Sequence, residues 1–201
     1  MSKEYEKKIV YDVKPLKTKK DIDDMRQVLL SQGADRLTTG RTGRRNLMLF
    51  DFGCKTGLRV SDIVKLKVKD VAGVSHLEIR EKKTGKVSRA YINKYLAKEL
   101  KEYIKFMGLT LDDYLFPSRK GSKPISTTQV YRFLTAAGHV LGRDDIGTHT
   151  MRKTFGYQYY KAGGRIEVLQ KILNHASPAV TRRYIGIDQD EIDDSLENFN
   201  F

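Results

Sequence analysis

Leu173-Asn174-His175-Ala176-Ser177-Pro178-Ala179-Val180-Thr181-Arg182-Arg183-Tyr184 is the stretch that decides how this chain reads. Its tyrosine stands nine residues after its histidine, and Pro178 suits the first turn of a helix carrying the phenol. Upstream lies His149-Thr150-Met151-Arg152, and earlier still Thr56-Gly57-Leu58-Arg59-Val60-Ser61-Asp62. Two arginines, two histidines and a late tyrosine, in that order, form a kit for attacking a phosphodiester without a metal.

A phosphodiester resists attack because its oxygens repel nucleophiles and its alkoxide leaves poorly. Catalysis needs cations where charge develops, an activated nucleophile and an acid for the departing oxygen. Arg59 and Arg152 are the candidates for the cationic role, since a guanidinium stays charged and grips two phosphate oxygens at once. His149 and Arg152, three apart, share one face of the first turn of a helix expected to be capped by Thr148. His175 follows a helix end and is placed to donate to a phosphate oxygen. Tyr184 is the nucleophile. A phenol of ordinary pKa, about 10, is only on the order of 0.1% ionised at pH 7, so cations or a base must assist it. Lys83, in Lys82-Lys83-Thr84-Gly85-Lys86, sits beside a hairpin turn from which it can protonate the leaving 5′-oxygen. Singly, each residue has an ordinary alternative: Arg59 paired with Asp62 on a surface turn, a solvated hairpin tip, a packed helix-end histidine, one of 11 tyrosines.

Charge points to the partner. The chain has 201 residues and a formal net charge of +13. After Ile185 it holds six acids (Asp188, Asp190, Glu191, Asp193, Asp194, Glu197) and no Lys or Arg, so the preceding part carries six units more than that +13. A body this basic suits a polyanion, nucleic acid above acidic membrane and most simply DNA, and the tail has a different task. The length suits one well-buried core. The single Cys54 rules out an internal disulfide and, with only four histidines, argues against a zinc site. No apolar run approaches the roughly 18 residues of a membrane span, and the first residues have no apolar signal region. A reducing cytoplasm fits.

The coarse pattern is mostly helical. Residues 1–19 read as an exposed basic lead-in. Ile22, Met25, Leu29 and Leu30 mark a helix from Asp21 to about Gln32, and Gly33 to Gly43 is expected to be a connection. Arg44 to Lys55 reads as a buried central helix, followed by a short one from Ser61, its expected N-cap, to Leu66. His76–Arg80 and Lys86–Ile92 read as two strands around Thr84-Gly85, with Lys67–Val71 as a third. Leu96 to Met107 and Val130 to Leu141 mark two further helices, the second starting at Ser126 or Thr127. Gly163-Gly164 ends the helix after Thr148, and Ile166 to Leu173 forms the next. A last helix, from about Gln189, has Ile192, Leu196 and Phe199 on one side.

These boxes resemble those of the tyrosine recombinase, or phage integrase, family. The resemblance covers Lys20 to Ile187, the family's catalytic domain. Thr56 to Asp62 is similar to its first-arginine box, with Asp62 at the acidic position that supports the arginines. Lys83-Thr84-Gly85-Lys86 is similar to its β-hairpin lysine, with Lys82 and Lys86 close enough to compete. His149 to Phe155 is similar to its His-x-x-Arg box, and Leu173 to Tyr184 to its last box, with the spacing intact. The resemblance implies an α+β, predominantly helical catalytic-domain fold with a small three-stranded antiparallel sheet. It implies site-specific cleavage and rejoining of DNA through a 3′-phosphotyrosyl link on Tyr184, with no metal, ATP or other cofactor. A bacterial or phage-encoded, nucleoid-associated protein of a mobile element follows from it. Lys82, Lys86 and the helix face of Thr128, Gln129 and Arg132 become candidate DNA contacts. The acidic segment 188–201 resembles the terminal helix that family members dock on a neighbour, making it a candidate for exchange within a dimer or tetramer.

One departure stands out: about 19 residues precede the first expected helix, too few for the helical core-binding domain that usually accompanies the catalytic one. A catalytically silent DNA-binding regulator on the same fold, or a relaxing topoisomerase with the same chemistry, are the rival readings.

Overall fold

A computed structural model describes residues 13–32, 40–80, 85–119 and 122–197. Thr18 caps α1 (Lys19–Ser31): its hydroxyl accepts from the Asp21 N–H at 3.0 Å while Asp21 accepts from the Thr18 N–H at 3.1 Å. The central helix α2 (Arg41–Thr56) starts earlier than expected, so Gly43 lies inside a helix rather than in a connection. The physical reason is close packing, since a Cβ on Gly43 would run into the Leu30 carbonyl of α1. Phe50 and Phe52 of α2 are fully buried.

Arg59, not Ser61, holds the N-cap position of α3 (Val60–Ile63), its carbonyl accepting from Asp62 and Ile63 at 2.9 and 3.0 Å. The expected third strand is instead a one-turn helix, α4 (Val68–Val71). Asp70 accepts from the Lys67 N–H at 2.7 Å and closes the turn, an interaction stronger than the strand preference of two valines. Lys67 keeps an isolated antiparallel bridge to Tyr114. The sheet among the described residues is therefore two-stranded: β1 (His76–Arg80) runs antiparallel to β2 (Val87–Tyr91), with His76 opposite Tyr91 and Arg80 opposite Val87. α5 (Lys94–Met107), capped by Asn93, buries Leu96, Leu100, Tyr103 and Met107. Ser126 and Gln129 form a capping box at the start of α6 (Thr127–Val140).

The remaining helices are α7 (Thr150–Lys161), α8 (Ile166–Ile172), α9 (Pro178–Ile185) and α10 (Ile187–Glu197). Thr148 does not cap α7. His149 holds that position, and the turn before it is closed by the Gly147 N–H donating to the Thr150 hydroxyl at 3.0 Å. Pro178 occupies the first turn of α9 as expected, with Ser177 as its cap.

Two apolar clusters hold these elements. The larger surrounds α2 and draws on α1, α5 and α6. The smaller joins Tyr157 of α7, Leu169 and Leu173 around α8, Ile185 of α9 and Ile187. A helix as short as α9 has almost no stability alone. Ile185 anchors it, fully buried and worth about 1.5–3 kcal/mol. Gly156 makes room for that anchor, because a Cβ there would stand 2.6 Å from Ile185 Cγ2. No helix among the described residues is long and apolar enough to cross a membrane.

Candidate active site

Tyr184 lies in the last turn of α9 and turns toward the start of α7. Its hydroxyl is 3.1 Å from His149 Nδ1. The His149 imidazole makes no capping bond to its own helix, so the N-cap side chain is spent on the phenol. Burial pushes the Tyr184 pKa up, while the charges of Arg152 and Arg59 and a hydrogen bond from Arg152 pull the other way. A hydroxyl that accepts from Arg152 has its own proton left for His149.

His175 reaches the ring by a different device. Asn174 adopts φ of +51° at the end of α8; the Asn174 N–H bonds Lys171 O at 3.1 Å and the His175 N–H bonds Gln170 O at 3.0 Å. That is a Schellman ending, in which asparagine substitutes for the usual glycine, and it throws the next side chain off the helix. His175 then sits edge-on to Tyr184, ring centroids 4.8 Å apart. Its Nδ1 is 3.1 Å from the Thr181 hydroxyl, whose one proton goes to Ser177 O at 3.2 Å.

Arg152 is 3% exposed and donates to Gly57 O and Leu173 O, both at 2.7 Å. One guanidinium thus joins α7 to the segment leading into Arg59 and to the segment leading into His175. Gly57 takes φ of +66°, and a Cβ there would enter the Phe155 ring well inside contact distance. Gly57→Ala is expected to cost roughly 2–5 kcal/mol, from the left-handed backbone and the overlap together. Thermal unfolding would show this as a fall of about 5 °C or more.

Five of the six expected site residues therefore form one cluster: Arg59, half-buried, with Arg152, His149, His175 and Tyr184. Asp62 is buried two residues into α3. Lys82 and Lys83 lie outside the described residues, and Lys86 is exposed just before β2. Thr128, Gln129 and Arg132 are exposed on α6, although the Gln129 side-chain oxygen accepts from the Ser126 N–H at 3.0 Å and so serves the cap. Sequence reasoning missed Lys153, whose Nζ stands 5.4 Å from the Tyr184 ring centroid, and Thr181, which orients His175. Helical spacing was a signal for the first, since Lys153 is four residues after His149. Among the described residues no group of His, Cys, Asp and Glu side chains is arranged to hold a metal ion.

Residues 20–191 match the model of the phage integrase family. The chain is 43% identical over 178 residues to the probable integrase/recombinase YoeC of Bacillus subtilis, covering 89% of this chain and 92% of that one. Its fold is similar to that of XerA recombinase, with a TM-score of 0.70 at 21% identity over 95% of this chain and 66% of that one. It is also similar to XerH recombinase in a post-cleavage complex with its difH substrate, with a TM-score of 0.68 at 20% identity over 92% and 53%. The chain spans about half the length of other curated tyrosine recombinases it matches.

Proposed function

The chain belongs to the phage integrase family, and from that premise we propose that it is a site-specific recombinase that cleaves and rejoins double-stranded DNA through Tyr184. The observation that supports this most is the 3.1 Å contact between the Tyr184 hydroxyl and His149 Nδ1, in a cluster with two arginines. His149 takes the phenol proton as the phenolic oxygen attacks phosphorus. The bond from phosphorus to the 5′-oxygen breaks, leaving a 3′-phosphotyrosyl diester and a 5′-hydroxyl. Arg152, Arg59 and His175 stabilise the charge that builds on the non-bridging oxygens, a contribution of the order of 10²–10³ in rate for each well-placed donor. Lys83 is proposed to protonate the departing oxygen. Exchanging one diester for another stores the bond energy, so a 5′-hydroxyl from a partner strand can reverse the step. Asp62 supports the arginine pair, and Lys82, Lys86, Thr128 and Arg132 contact the DNA outside the cleavage point.

A duplex recovered by selecting the chain's binding site from random DNA, then nicked so that the cleaved end diffuses away, tests the proposal. The expected result is a covalent protein–DNA adduct resistant to denaturant. Tight binding with no adduct would instead make the chain a regulator on the same fold.

We further propose that segment 188–201 exchanges between subunits on DNA. Its described side chains make polar contacts within the subunit: Lys17 with Asp190, Arg182 with Asp188 and Glu191, and Tyr160 donating to Glu191 at 3.0 Å. Exposed ion pairs of this kind contribute about 1 kcal/mol or less each, so leaving them for the same contacts on a neighbour costs little. Of the expected apolar stripe, only the Leu196 side chain falls among the described ones, and it is exposed rather than folded onto its own subunit. Ile187, by contrast, is buried and belongs to the body. A chain ending at Ile187 is expected to keep its melting temperature within a few degrees and lose multimeric complexes on DNA. Gel-shift titration beside thermal unfolding checks this, and loss of stability with assembly intact would overturn it.

A further inference from the structure

Lys153 follows Arg152 and stands one helical turn beyond His149, to which its backbone N–H donates at 2.9 Å. His149, Arg152 and Lys153 thus project from one side of the first turn of α7. The first meets the Tyr184 hydroxyl, the second donates to it, and the Lys153 ammonium stands 5.4 Å from the centre of the ring. Lys153 is half-buried, which strengthens an ammonium–ring attraction relative to open solvent. The histidine His175 approaches the same ring edge-on. Arg59, from the segment before α3, completes the charged surroundings. Arg152 and Arg59 act at the oxygen end of the phenol, whereas Lys153 acts on the ring.

We propose that Lys153 is a positioning residue for Tyr184, its ammonium acting through the ring to favour the ionised phenol from which attack proceeds. A cation over an aromatic face is attracted by the electron density of the ring, and phenolate is richer in that density than phenol. The ring is thereby held from above by Lys153 and from the side by His175, leaving the oxygen between His149 and the arginines. The inference rests on Tyr184 being the nucleophile only for its effect on rate; its effect on the ring stands apart from that.

The test therefore has two arms. In the first, 3-fluorotyrosine is placed at position 184 of the full chain without DNA, and its ionisation is followed by fluorine NMR. Lys153→Met is expected to move the midpoint to higher pH by roughly half a unit or more, and Lys153→Arg to restore it. An unchanged midpoint in Lys153→Met, or no restoration by arginine, overturns the proposal. In the second arm, single-turnover cleavage of the selected nicked duplex is measured at saturating protein. Lys153→Met is expected to be about 3- to 30-fold slower near pH 7, with the deficit narrowing as pH rises and the phenol ionises unaided. A deficit that is constant with pH, or that disappears when more protein is added, marks a packing or phosphate-contact role and also overturns it. A shifted midpoint with no adduct from the unaltered chain would leave the Lys153 inference standing and remove the nucleophile.

Discussion

Tyr184→Phe is expected to bring covalent adduct formation on the nicked duplex down by on the order of 10⁴-fold or more, to the limit of detection, with DNA affinity retained. The substitution removes one oxygen, and with it the only atom of that side chain able to bond phosphorus. What remains is the ring, still packed edge-on to His175 and beneath Lys153. The folded state loses the contact to His149 and the hydrogen bond from Arg152, together about 1–2 kcal/mol at a half-buried position. For a domain of this size that is a shift of only a few degrees in melting temperature. Binding is expected to survive because the phosphate-gripping groups and the exposed cations are untouched. An adduct that persists at a comparable rate in Tyr184→Phe would assign the chemistry to another of the 11 tyrosines or to another nucleophile.

The site was legible because its chemistry demands particular residue types in a fixed order, and short-range features carry them. The spacing from His175 to Tyr184 spans one helix end, a proline-started turn and a short helix, all of which leave local marks. The fold was legible where apolar residues recur at helical spacing, as in α5 and α6. It failed where one specific contact outweighs the residue pattern, between two helices in one case and within a single turn in two others. Gly43 reads as a loop residue until Leu30 is brought against it across the interface of α1 and α2. Lys67 to Val71 reads as a strand until Asp70 closes the turn. Thr148 is the better N-cap by type, yet the Gly147–Thr150 turn shifts the helix start by one residue. That shift places His149 where its imidazole meets Tyr184 rather than a backbone N–H. Lys153 carried half a signal: helical spacing puts it on the face of His149, but nothing local marks the ring 31 residues later that its ammonium meets.

Arg152→Ala is expected to lose both cleavage and stability, and the second loss could not be read from the sequence. As a surface-helix residue in a His-x-x-Arg box, Arg152 looks separable: remove it, and the fold should survive without its activity. The structure assigns it a second duty. Its side chain is buried, and its guanidinium bonds Gly57 O, 95 residues away in the chain, and Leu173 O, 21 away. Truncation leaves two buried carbonyls without that partner, about 1–3 kcal/mol each, so the melting temperature should fall by on the order of 10 °C. It also releases the two segments that lead into Arg59 and His175, so the other phosphate-binding groups drift as well. Cleavage should therefore fall by more than the 10²–10³ expected of one lost donor. Arg152→Lys separates the two effects. It keeps the charge, but a lysine ammonium lacks the planar fork that reaches two carbonyls and a third acceptor together. Stability should recover in part while single-turnover cleavage stays at least about tenfold down. If Arg152→Ala melts like the unaltered chain, the guanidinium is not the tie between these segments, and the geometry of the site must be held by the apolar cluster alone.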